Sequence, residues 1–423
     1  MAQRRTLAEI GVVLFEDGAF ERLLPLTWLR PAHDLMLGTR TLAARWRRVA
    51  GTIVRAELGG STIDAGACDS GPDGAVVLVN GRLIAPGGAD SCIAPAAGTK
   101  WTRGEVVLAA AVPAGRVGEL SHGMSGVQRV CAALREAPAP AGLELIDHPW
   151  QLALRNAEQI RRDFAAFYRA ELSGRVRAGA HLVATERIFV GADADIRPGA
   201  VLDAEAGPVI VERGALVQSN AVLEGPCFVG AGSIVRAGAS IREGTTIGPV
   251  CKVGGEVEAS ILHGYANKQH DGFLGHSYVC PWVNLGADTV TSDLKNTYGT
   301  IRVFLNGVGV ETGERFVGSI IGDHAKAGIG TILPTGCVVG VAANIFTPGS
   351  VPKFVPSFSW VTDAGVAPFR VDKAIEIART VMARRRVELS ALEAERLARV
   401  CEDARRVEAG GWDSLQGASG GGS

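Results

Sequence analysis

The sequence VERGALVQSNAVLEGPCFVGAGSIVRAGASIREGTTIGPVCKVG, residues 211–254, contains an uninterrupted six-residue repeat. One aliphatic side chain stands at every sixth position: Val211, Val217, Leu223, Val229, Val235, Ile241, Ile247 and Val253. A period of six fits neither a helix nor an alternating strand. It fits a parallel β-helix, in which each hexapeptide forms one short face and three hexapeptides complete a triangular coil. The alternative is an accidental period in a β protein rich in glycine and valine.

The repeat continues on both sides of this stretch. The same spacing precedes it, before a slip in the period, and resumes after it, at Val190, Ile196, Leu202, Ile321, Ala327, Leu333, Val339, Ile345 and Val351. We therefore predict a hexapeptide β-helix over residues 179–365, with the repeated aliphatic side chains inside the triangular prism that the coils form.

The repeat breaks within residues 251–289. Side chains that a solenoid core does not need are concentrated there: His263, Tyr265, Asn267, Lys268, His270, His276, Trp282 and Asn284. Interruptions of a solenoid tend to form loops on one face, and that face is often the binding face. We therefore expect the functional site in this part of the chain.

Composition limits the possible functions and the compartment. With 423 residues the chain is long enough for two or three domains, and 47% hydrophobic content is typical of a globular protein. A net charge of -1 suggests no nucleic-acid or membrane partner. Eight scattered cysteines without a CxxC pair favour a reducing compartment. We see neither a signal peptide nor a membrane span, so we expect a cytoplasmic protein.

The segments before and after the β-helix are predicted to form a separate domain and further helices. Residues 1–150 are predicted to form an α/β domain, because apolar strand-like runs alternate with a helical segment. The predicted elements in it are strands at 10–15, 75–79 and 106–111 and a helix at 34–48. A helical connector is expected within 151–178, a C-terminal helix within 366–410 and a flexible tail at 411–423. The run Arg384–Arg386 reads as a solvated helix face.

Three stretches carry a resemblance to a known family. LPLTWLRP at residues 24–31, LVNGR at 78–82 and the segment 252–300 resemble the bifunctional N-acetylglucosamine-1-phosphate uridylyltransferase/glucosamine-1-phosphate acetyltransferases. The closest likeness is to a divergent branch of sugar nucleotidyltransferases with the loop at 24–31. The resemblance covers both halves of the chain and implies a nucleotidyltransferase-like α/β domain followed by a left-handed parallel β-helix and a C-terminal helix.

In the acetyltransferase half, the segment around His270 resembles the part of the family that carries its catalytic histidine. The resemblance implies that His270 is the general base and that Asn284, about one coil later, stabilises the oxyanion. An imidazole suits this role, because its pKa lies near neutrality. Lys252 and Lys268 are candidates to pair with a sugar phosphate, although each could be a solvated surface lysine.

The resemblance further implies acetyl-CoA as the acyl donor and an amino-sugar phosphate or sugar nucleotide as the acceptor. Tyr265 is a further candidate contact for this acceptor, and Gly328, Ile329 and Ala342 are candidate contacts for the coenzyme. A homotrimer is expected, because enzymes of this kind resemble threefold assemblies. The family's tyrosine three residues after the histidine is Phe273 here, and its Asn-Tyr pair further on is replaced around Asp293–Leu294, which leaves the acceptor open.

The N-terminal half departs further from the family. A Gly-rich loop normally follows the first strand and cradles the triphosphate, but FEDGAFERLLPLTWLRP stands there, and we treat the partial match Gly38–Arg40 as coincidental. Arg82 occupies the position of a metal-binding aspartate, and an arginine cannot supply the oxygen ligand that Mg²⁺ needs. Arg30 and Arg82 could bind phosphate or be structural. We expect nucleotidyl transfer with Mg²⁺ to be weak or absent.

Two functions from other classes remain open at this point. A zinc enzyme of the β-helix carbonic anhydrase type could use His263, His270 and His276 as ligands, although this would leave the α/β domain unexplained. A non-enzymatic trimer could bind a sugar nucleotide through a degenerate N-terminal domain. Metal analysis of the purified protein tests the zinc enzyme, and a thermal-shift screen with acetyl-CoA, UTP and UDP-sugars tests the non-enzymatic trimer.

Overall fold

The computed structural model describes residues 11–50, 53–55, 74–85 and 94–412. These residues group into two compact units. The first unit contains residues 1–23, 30–36 and 40–148, as far as they are described, and the second contains 149 onward. The short segments 24–29 and 37–39 group with the second unit, a division that the linear domain boundaries of the sequence did not include.

The first unit is built on a mixed six-stranded sheet. Its strands, in sheet order, are Ile53–Arg55, Val12–Phe15, Val76–Asn80, Val106–Val112, Thr99–Arg103 and Arg135–Ala137. The first three run parallel to one another, and the strand Val106–Val112 is antiparallel to both its neighbours. The three strands predicted from apolar runs are present, and the α/β class is confirmed.

The helix predicted at residues 34–48 is shorter than expected. The chain instead forms a 3-10 turn at Ala32–Asp34, short strands at Met36–Leu37 and Arg40–Thr41, and helix α1 at Leu42–Val49. Gly38 adopts a left-handed conformation, with φ of 61°, which interrupts any continuous helix here. Thr41 then caps α1, because its hydroxyl accepts a hydrogen bond from the Ala44 amide.

The remaining helical segments of the first unit follow the sheet strands. They are the 3-10 segments Gly18–Leu23 and Ala114–His122 and helix α2 at Gly123–Ala132. Apolar side chains of α2, among them Val127 and Val130, pack against the sheet residues Val13 and Leu78.

The second unit contains the predicted parallel β-helix. Each coil contributes short strands to three faces in turn, and these faces are called face 1, face 2 and face 3 and defined by their strands below.

Face 1 consists of Arg175–Val176, Asp195–Ile196, Leu216–Val217, Ile234–Val235, Lys252–Val253, Asn267–Lys268, Asn284–Leu285, Lys326–Ala327, Asn344–Ile345, Ser359–Thr362 and Gly365–Pro368. Face 2 consists of His181–Val183, Val201–Asp203, Val222–Glu224, Ser240–Ile241, Glu256–Glu258 and Phe273–Gly275, and then Val290–Thr291, Thr331–Leu333 and Gly349–Ser350. Face 3 consists of Glu171–Leu172, Ile188–Val190, Val209–Val211, Cys227–Val229, Thr245–Ile247, Ile261–Leu262, Tyr278–Val279, Ile320–Ile321, Val338–Val339 and Phe354–Val355.

The repeated aliphatic side chains form the core of the prism, as predicted. All eight from Val211 to Val253 are fully buried, and they belong to one apolar cluster with the aliphatic residues that resume at Ile321. Strands on each face pair with the strand one coil later. Because each coil repeats the same inward position, the period of six read from the sequence is the period of the buried side chains.

The expected break at residues 251–289 is not a loop. The coil continues through it, and only the spacing changes: Lys252 pairs with Asn267, and Asn267 with Asn284. The true insertion comes later, between the strands Val290–Thr291 and Ile320–Ile321. It contains an antiparallel hairpin of Arg302–Leu305 and Val308–Glu311. The unusual residues therefore lie on regular coils rather than in a loop.

Three further helices pack on the β-helix. Helix α3, Trp150–Phe167, precedes it and contacts face 3. The single C-terminal helix expected within 366–410 is two helices, α4 at Val371–Ala383 and α5 at Ala391–Val407. A turn separates them, in which Arg386 has a left-handed φ of 59°, and a Ser390–Glu393 capping box starts α5. In the part of the chain that the structure describes, no helix is long and apolar enough to cross a membrane.

We predict that Asn156 is a main determinant of how α3 binds the β-helix. Its side chain is fully buried, accepts from the Gly38 amide at 2.7 Å and donates to the Gly244 carbonyl at 2.7 Å. Asn156→Ala leaves both partners buried and unpaired, so the free energy of unfolding should fall by about 2–4 kcal/mol in denaturant titration. Glu158→Ala, an exposed position on the same helix, should stay within about 0.5 kcal/mol of wild type; equal values for the two variants would contradict the prediction.

Candidate functional site

A column of polar side chains runs along face 1. Successive coils place in register Lys252, Asn267, Asn284, Lys326 and Asn344. The Asn267 Nδ2 donates to the Asn284 Oδ1 at 2.6 Å, so the two amides form a ladder. Asn284 is exposed, and it takes part in this bond through its oxygen, so its own Nδ2 is not used in the ladder. Face 1 therefore presents hydrogen-bond donors on neighbouring coils, about 4.8 Å apart.

His270 lies at the edge between faces 1 and 2. It follows the strand Asn267–Lys268 on the same coil, and its side chain is exposed. The register pairs Asn284 with Asn267, so Asn284 lies on the coil that follows the one carrying His270. His270 flanks the amide ladder, three residues along the chain from Asn267.

An aromatic stack lies at the opposite edge of face 1, between faces 3 and 1. The Tyr265 and Trp282 rings stack with centroids 4.3 Å apart, and Trp282 stacks in turn on His324 at 6.2 Å. All three residues have left-handed backbone angles, since they occupy the same corner on successive coils. One coil thus carries an aromatic ring, an amide and an imidazole across face 1, at Tyr265, Asn267 and His270.

Lys268 is neither a surface lysine nor an exposed phosphate ligand. It occupies the inward position of its strand, paired with Val253, and is only 2% exposed. Its ammonium donates to the Gly254 carbonyl at 3.1 Å and to the His270 carbonyl at 2.7 Å. Burial lowers the pKa of Lys268 to about 8. This side chain therefore fixes the backbone of the His270 corner from inside the prism.

Lys252 stands in a group of positive charges. Arg385 follows the end of helix α4. Its Nη1 donates a hydrogen bond to the Val250 carbonyl at 3.0 Å, and this contact brings Arg385 close to Lys252. The charge of Arg385, partial burial, and the charges of Arg236 and Arg384 together lower the pKa of Lys252. The arginine run is therefore not simply a solvated face, since Arg385 is docked on the β-helix. Such a group favours an anion beside Lys252.

The three histidines of the zinc alternative lie on three different edges of the prism. His263 follows face 3, His270 follows face 1 and His276 follows face 2. They do not converge on one ion within a chain. Across the described ranges of the chain, no group of three or more His, Cys, Asp or Glu side chains is arranged to hold a metal.

His276 has a well-defined partner. Its Nδ1 lies 2.8 Å from the Asp293 Oδ2, and its ring stacks on Phe316 at 5.1 Å. Asp293 and Phe316 belong to the two ends of the insertion, where Leu294 pairs with Phe316. The amide of Gly318 also donates to the His276 carbonyl, at 3.0 Å. These contacts anchor the insertion to the coil, and they also give His276 the geometry of an oriented base.

The candidate coenzyme contacts separate into two groups. Gly328 pairs across one coil with Gly286, and Ile329 follows it at the same edge as His270, with 72% of its surface exposed. Ala342 differs: it is 4% exposed and lies in an apolar cluster with Phe358 and side chains of α4 and α5. The C-terminal helices cover Ala342, so it does not reach a surface ligand.

In the first unit, Arg82 is held by carboxylates. It is 1% exposed, and its guanidinium binds Asp17 and Asp147. This geometry favours the structural alternative for Arg82. Arg30 is half-buried in the same unit.

Sequence reasoning missed several members of the site. Asn267 was noted only as an unusual residue, Lys326 was not singled out, and Arg385 was named only within a run interpreted as a solvated face. Lys326 is half-buried, and burial lowers its pKa to about 8. A signal for Asn267 and Lys326 exists, because each stands immediately before an inward position. Asn344 continues the same column, but it is buried, and its Nδ2 donates to the Ala342 carbonyl. No sequence signal indicates Arg385, whose place depends on how α4 packs.

We predict that the charge of Lys268 destabilises the fold in a pH-dependent way. Its folded pKa of about 8 lies below the ordinary value of 10.5, so stability is lost as the pH falls toward 8. Lys268→Met should have a higher free energy of unfolding than wild type. This difference between variant and wild type should be larger at pH 7 than at pH 10, by about 1–3 kcal/mol. Denaturant titration at both pH values measures this. Lys373→Met, on the exposed part of α4, is the control and should show no such change; an equal difference at both pH values for Lys268→Met would refute the prediction.

Comparisons with known proteins find similarity in the N-terminal part of the chain. Residues 12–171 match the family model described as sugar nucleotidyl transferase. A bifunctional sugar-1-phosphate nucleotidylyltransferase/acetyltransferase of Sulfurisphaera tokodaii is 31% identical over 147 residues, which are 34% of this chain and 36% of the relative. The chain therefore matches about a third of that relative's length.

Solved structures similar to the chain include hexapeptide acyltransferases. A UDP-N-acetylglucosamine acyltransferase of Francisella novicida is 16% identical, with 56% of this chain and 92% of that chain covered and a TM-score of 0.23. A variant of the GDP-perosamine N-acetyl transferase of Caulobacter crescentus, in complex with CoA and GDP-perosamine, is 12% identical, with 47% and 58% covered and a TM-score of 0.13. The fold assignment rests on the strand register of this chain. Residues 12–171 are thus similar to the sugar nucleotidyl transferase family, and a hexapeptide β-helix follows them in the chain.

Proposed function

We propose that the chain is an acyl-CoA-dependent N-acyltransferase that acetylates an amino-sugar phosphate or a nucleotide-linked amino sugar. The observation that carries this proposal is the strip across face 1, where an imidazole, an amide ladder and a group of cations lie on neighbouring coils. The similarity to a relative named for both nucleotidylyl and acetyl transfer supports it. The N-terminal domain would bind the sugar nucleotide or sugar phosphate.

The proposed reaction uses His270 as the base. The amine of the sugar attacks the thioester carbonyl of acetyl-CoA, a C–N bond forms, and the C–S bond then breaks. His270 takes the proton from the amine and returns it to the CoA thiolate. The Asn284 amide stabilises the oxyanion, since its Oδ1 is already engaged by Asn267 and its Nδ2 remains a donor.

The acceptor is proposed to carry a phosphate beside Lys252. Lys252 and Arg385 stand close together, with Arg236 and Arg384 nearby, and an anion would relieve their mutual repulsion. Tyr265, at the edge of the same face, offers an aromatic surface for a sugar ring or a base. The acetyl-CoA is proposed to lie along the edge that carries His270, Gly328 and Ile329.

The non-enzymatic alternative is tested by binding. A thermal-shift screen with acetyl-CoA, UTP and UDP-sugars separates the two functions. An acyltransferase is expected to be stabilised by acetyl-CoA. Stabilisation by a sugar nucleotide together with no response to acetyl-CoA or CoA would favour the non-enzymatic trimer.

We predict that His270→Ala lowers the rate of acetyl-CoA consumption by about 10²–10⁴-fold, the usual contribution of a positioned general base. Binding of CoA should change little, because the base acts mainly in the transition state. The rate is followed by thiol release and the binding by calorimetry. His263→Ala should stay within a few-fold of wild type.

His276→Ala and Asp293→Asn are the matched controls for this assignment. Both remove an imidazole–carboxylate contact on the neighbouring edge and leave His270 in place. They should stay within a few-fold of wild type in rate, while the melting temperature falls, because the contact anchors the insertion. Full turnover by His270→Ala, or loss of turnover in His276→Ala, would show that the assignment of His270 as the base is wrong.

We predict a homotrimer in solution. The edge that carries Ile329 also exposes Phe346, at 54%, on the adjacent coil, and such an apolar strip favours contact with a second copy. Light scattering at micromolar concentration should give three times the chain mass. Phe346→Glu should shift the population toward monomer, and Leu392→Glu, exposed on α5, should not. A monomeric wild type would contradict the prediction.

A further inference from the structure

The ends of two neighbouring strands meet at one edge of the first unit's sheet. Val12–Phe15 and Val76–Asn80 run parallel, with Phe15 paired to Asn80. Glu16 and Asp17 follow the first strand, and Gly81 and Arg82 follow the second. In open α/β sheets, ligands bind outside the carboxyl ends of such strands.

Arg82 occupies the space between two carboxylates at this edge. Its Nε and Nη2 donate to the two oxygens of Asp17 at 3.0 and 2.7 Å. Its Nη1 donates to the Asp147 Oδ1 at 2.7 Å and to the Ile146 carbonyl at 3.0 Å. The guanidinium is therefore surrounded by four oxygens from three residues.

The surrounding contacts fix these groups in place. The Asn80 Nδ2 donates to the Asp17 Oδ2 at 2.9 Å, and the Asn80 Oδ1 accepts from the Arg82 amide at 3.0 Å. The Ile146 amide donates to the Arg82 carbonyl at 3.0 Å. The chain on both sides of the ion pairs is thus held by hydrogen bonds, so the guanidinium is preorganised rather than free to swing away.

Nucleotidyl transfer in sheets of this kind uses a divalent metal, and the residues here do not fit one. Mg²⁺ binds hard oxygen ligands in a nearly octahedral shell. The oxygens that could serve, those of Asp17, Asp147 and Ile146, already face a positive group. An arginine stays charged at any physiological pH, so protonation cannot release the site.

We propose that the Arg82 guanidinium is a built-in cation that replaces the divalent metal at this strand edge. The wild-type N-terminal unit then has no divalent-metal site there, and metal-assisted nucleotidyl transfer is lost. The same geometry implies that Asp17 and Asp147 would form a metal site once Arg82 is removed. This inference concerns the first unit alone and does not depend on the proposed acyl transfer.

Binding of Mn²⁺ to the full-length protein tests the inference directly. Free Mn²⁺ is counted by electron paramagnetic resonance for wild type, Arg82→Ala, Arg82→Lys and Asp17→Asn. Arg82→Ala should gain one Mn²⁺ site per chain with an affinity at least about tenfold tighter than any wild-type binding, since two carboxylates and a carbonyl lose their internal cation. Arg82→Lys keeps the charge and should behave as wild type.

Three results would overturn the inference. The first is a wild-type Mn²⁺ site that Asp17→Asn abolishes, and this comparison does not require Arg82→Ala to fold. The second is a folded Arg82→Ala, judged by circular dichroism, that gains no Mn²⁺. Pyrophosphate release from UTP, a sugar 1-phosphate and Mg²⁺ by the wild type at rates that Asp17→Asn reduces would count against it as well.

Discussion

The register of backbone hydrogen bonds between successive coils determines most of what this protein presents to a ligand. Each strand of the β-helix pairs with the strand one coil later, so a residue's position within its hexapeptide decides whether it points inward or outward. The aliphatic positions are buried by this register, and the residues before them are held in columns on the surface. A side chain such as Asn284 therefore has its neighbours fixed by coil length, not by its own conformational preference.

The same constraint explains the buried charge at Lys268. An inward position normally carries an aliphatic residue, and an ammonium there is costly unless it is hydrogen-bonded. The carbonyls of Gly254 and His270 satisfy it at the corner where the coil turns. The buried Lys268 thus links the core of the prism to the edge that carries His270. A leucine at the same position could not donate these hydrogen bonds.

Cations are arranged differently in the two units. In the second unit, Lys252 lies near Arg385 and Arg236 with no compensating carboxylate among the groups that shift its pKa, so an anion is favoured there. In the first unit, Arg82 is neutralised by Asp17 and Asp147. The first arrangement is open to a ligand, and the second is complete within the chain. A positive side chain is therefore available to an anion in the second unit and already neutralised in the first.

The period of six determined the β-helix from the sequence alone, because burial of one aliphatic residue per hexapeptide is a local repeat that needs no other information. Short motifs likewise carried the family resemblance, and residues 12–171 match the family model described as sugar nucleotidyl transferase. The remaining features depend on packing. From the sequence we expected a loop where residues 252–284 form regular coils, because a change in coil length of a few residues resembles a break in the repeat.

Contacts between residues far apart in the chain could also not be predicted from the sequence. Arg385 reaches Val250, and Arg82 reaches Asp147, across separations for which no spacing rule exists. The sequence by itself determined which residues face the core of the prism, because that follows from a local period. Only the tertiary structure decided which charges meet, because that depends on how helices and loops return to the coils.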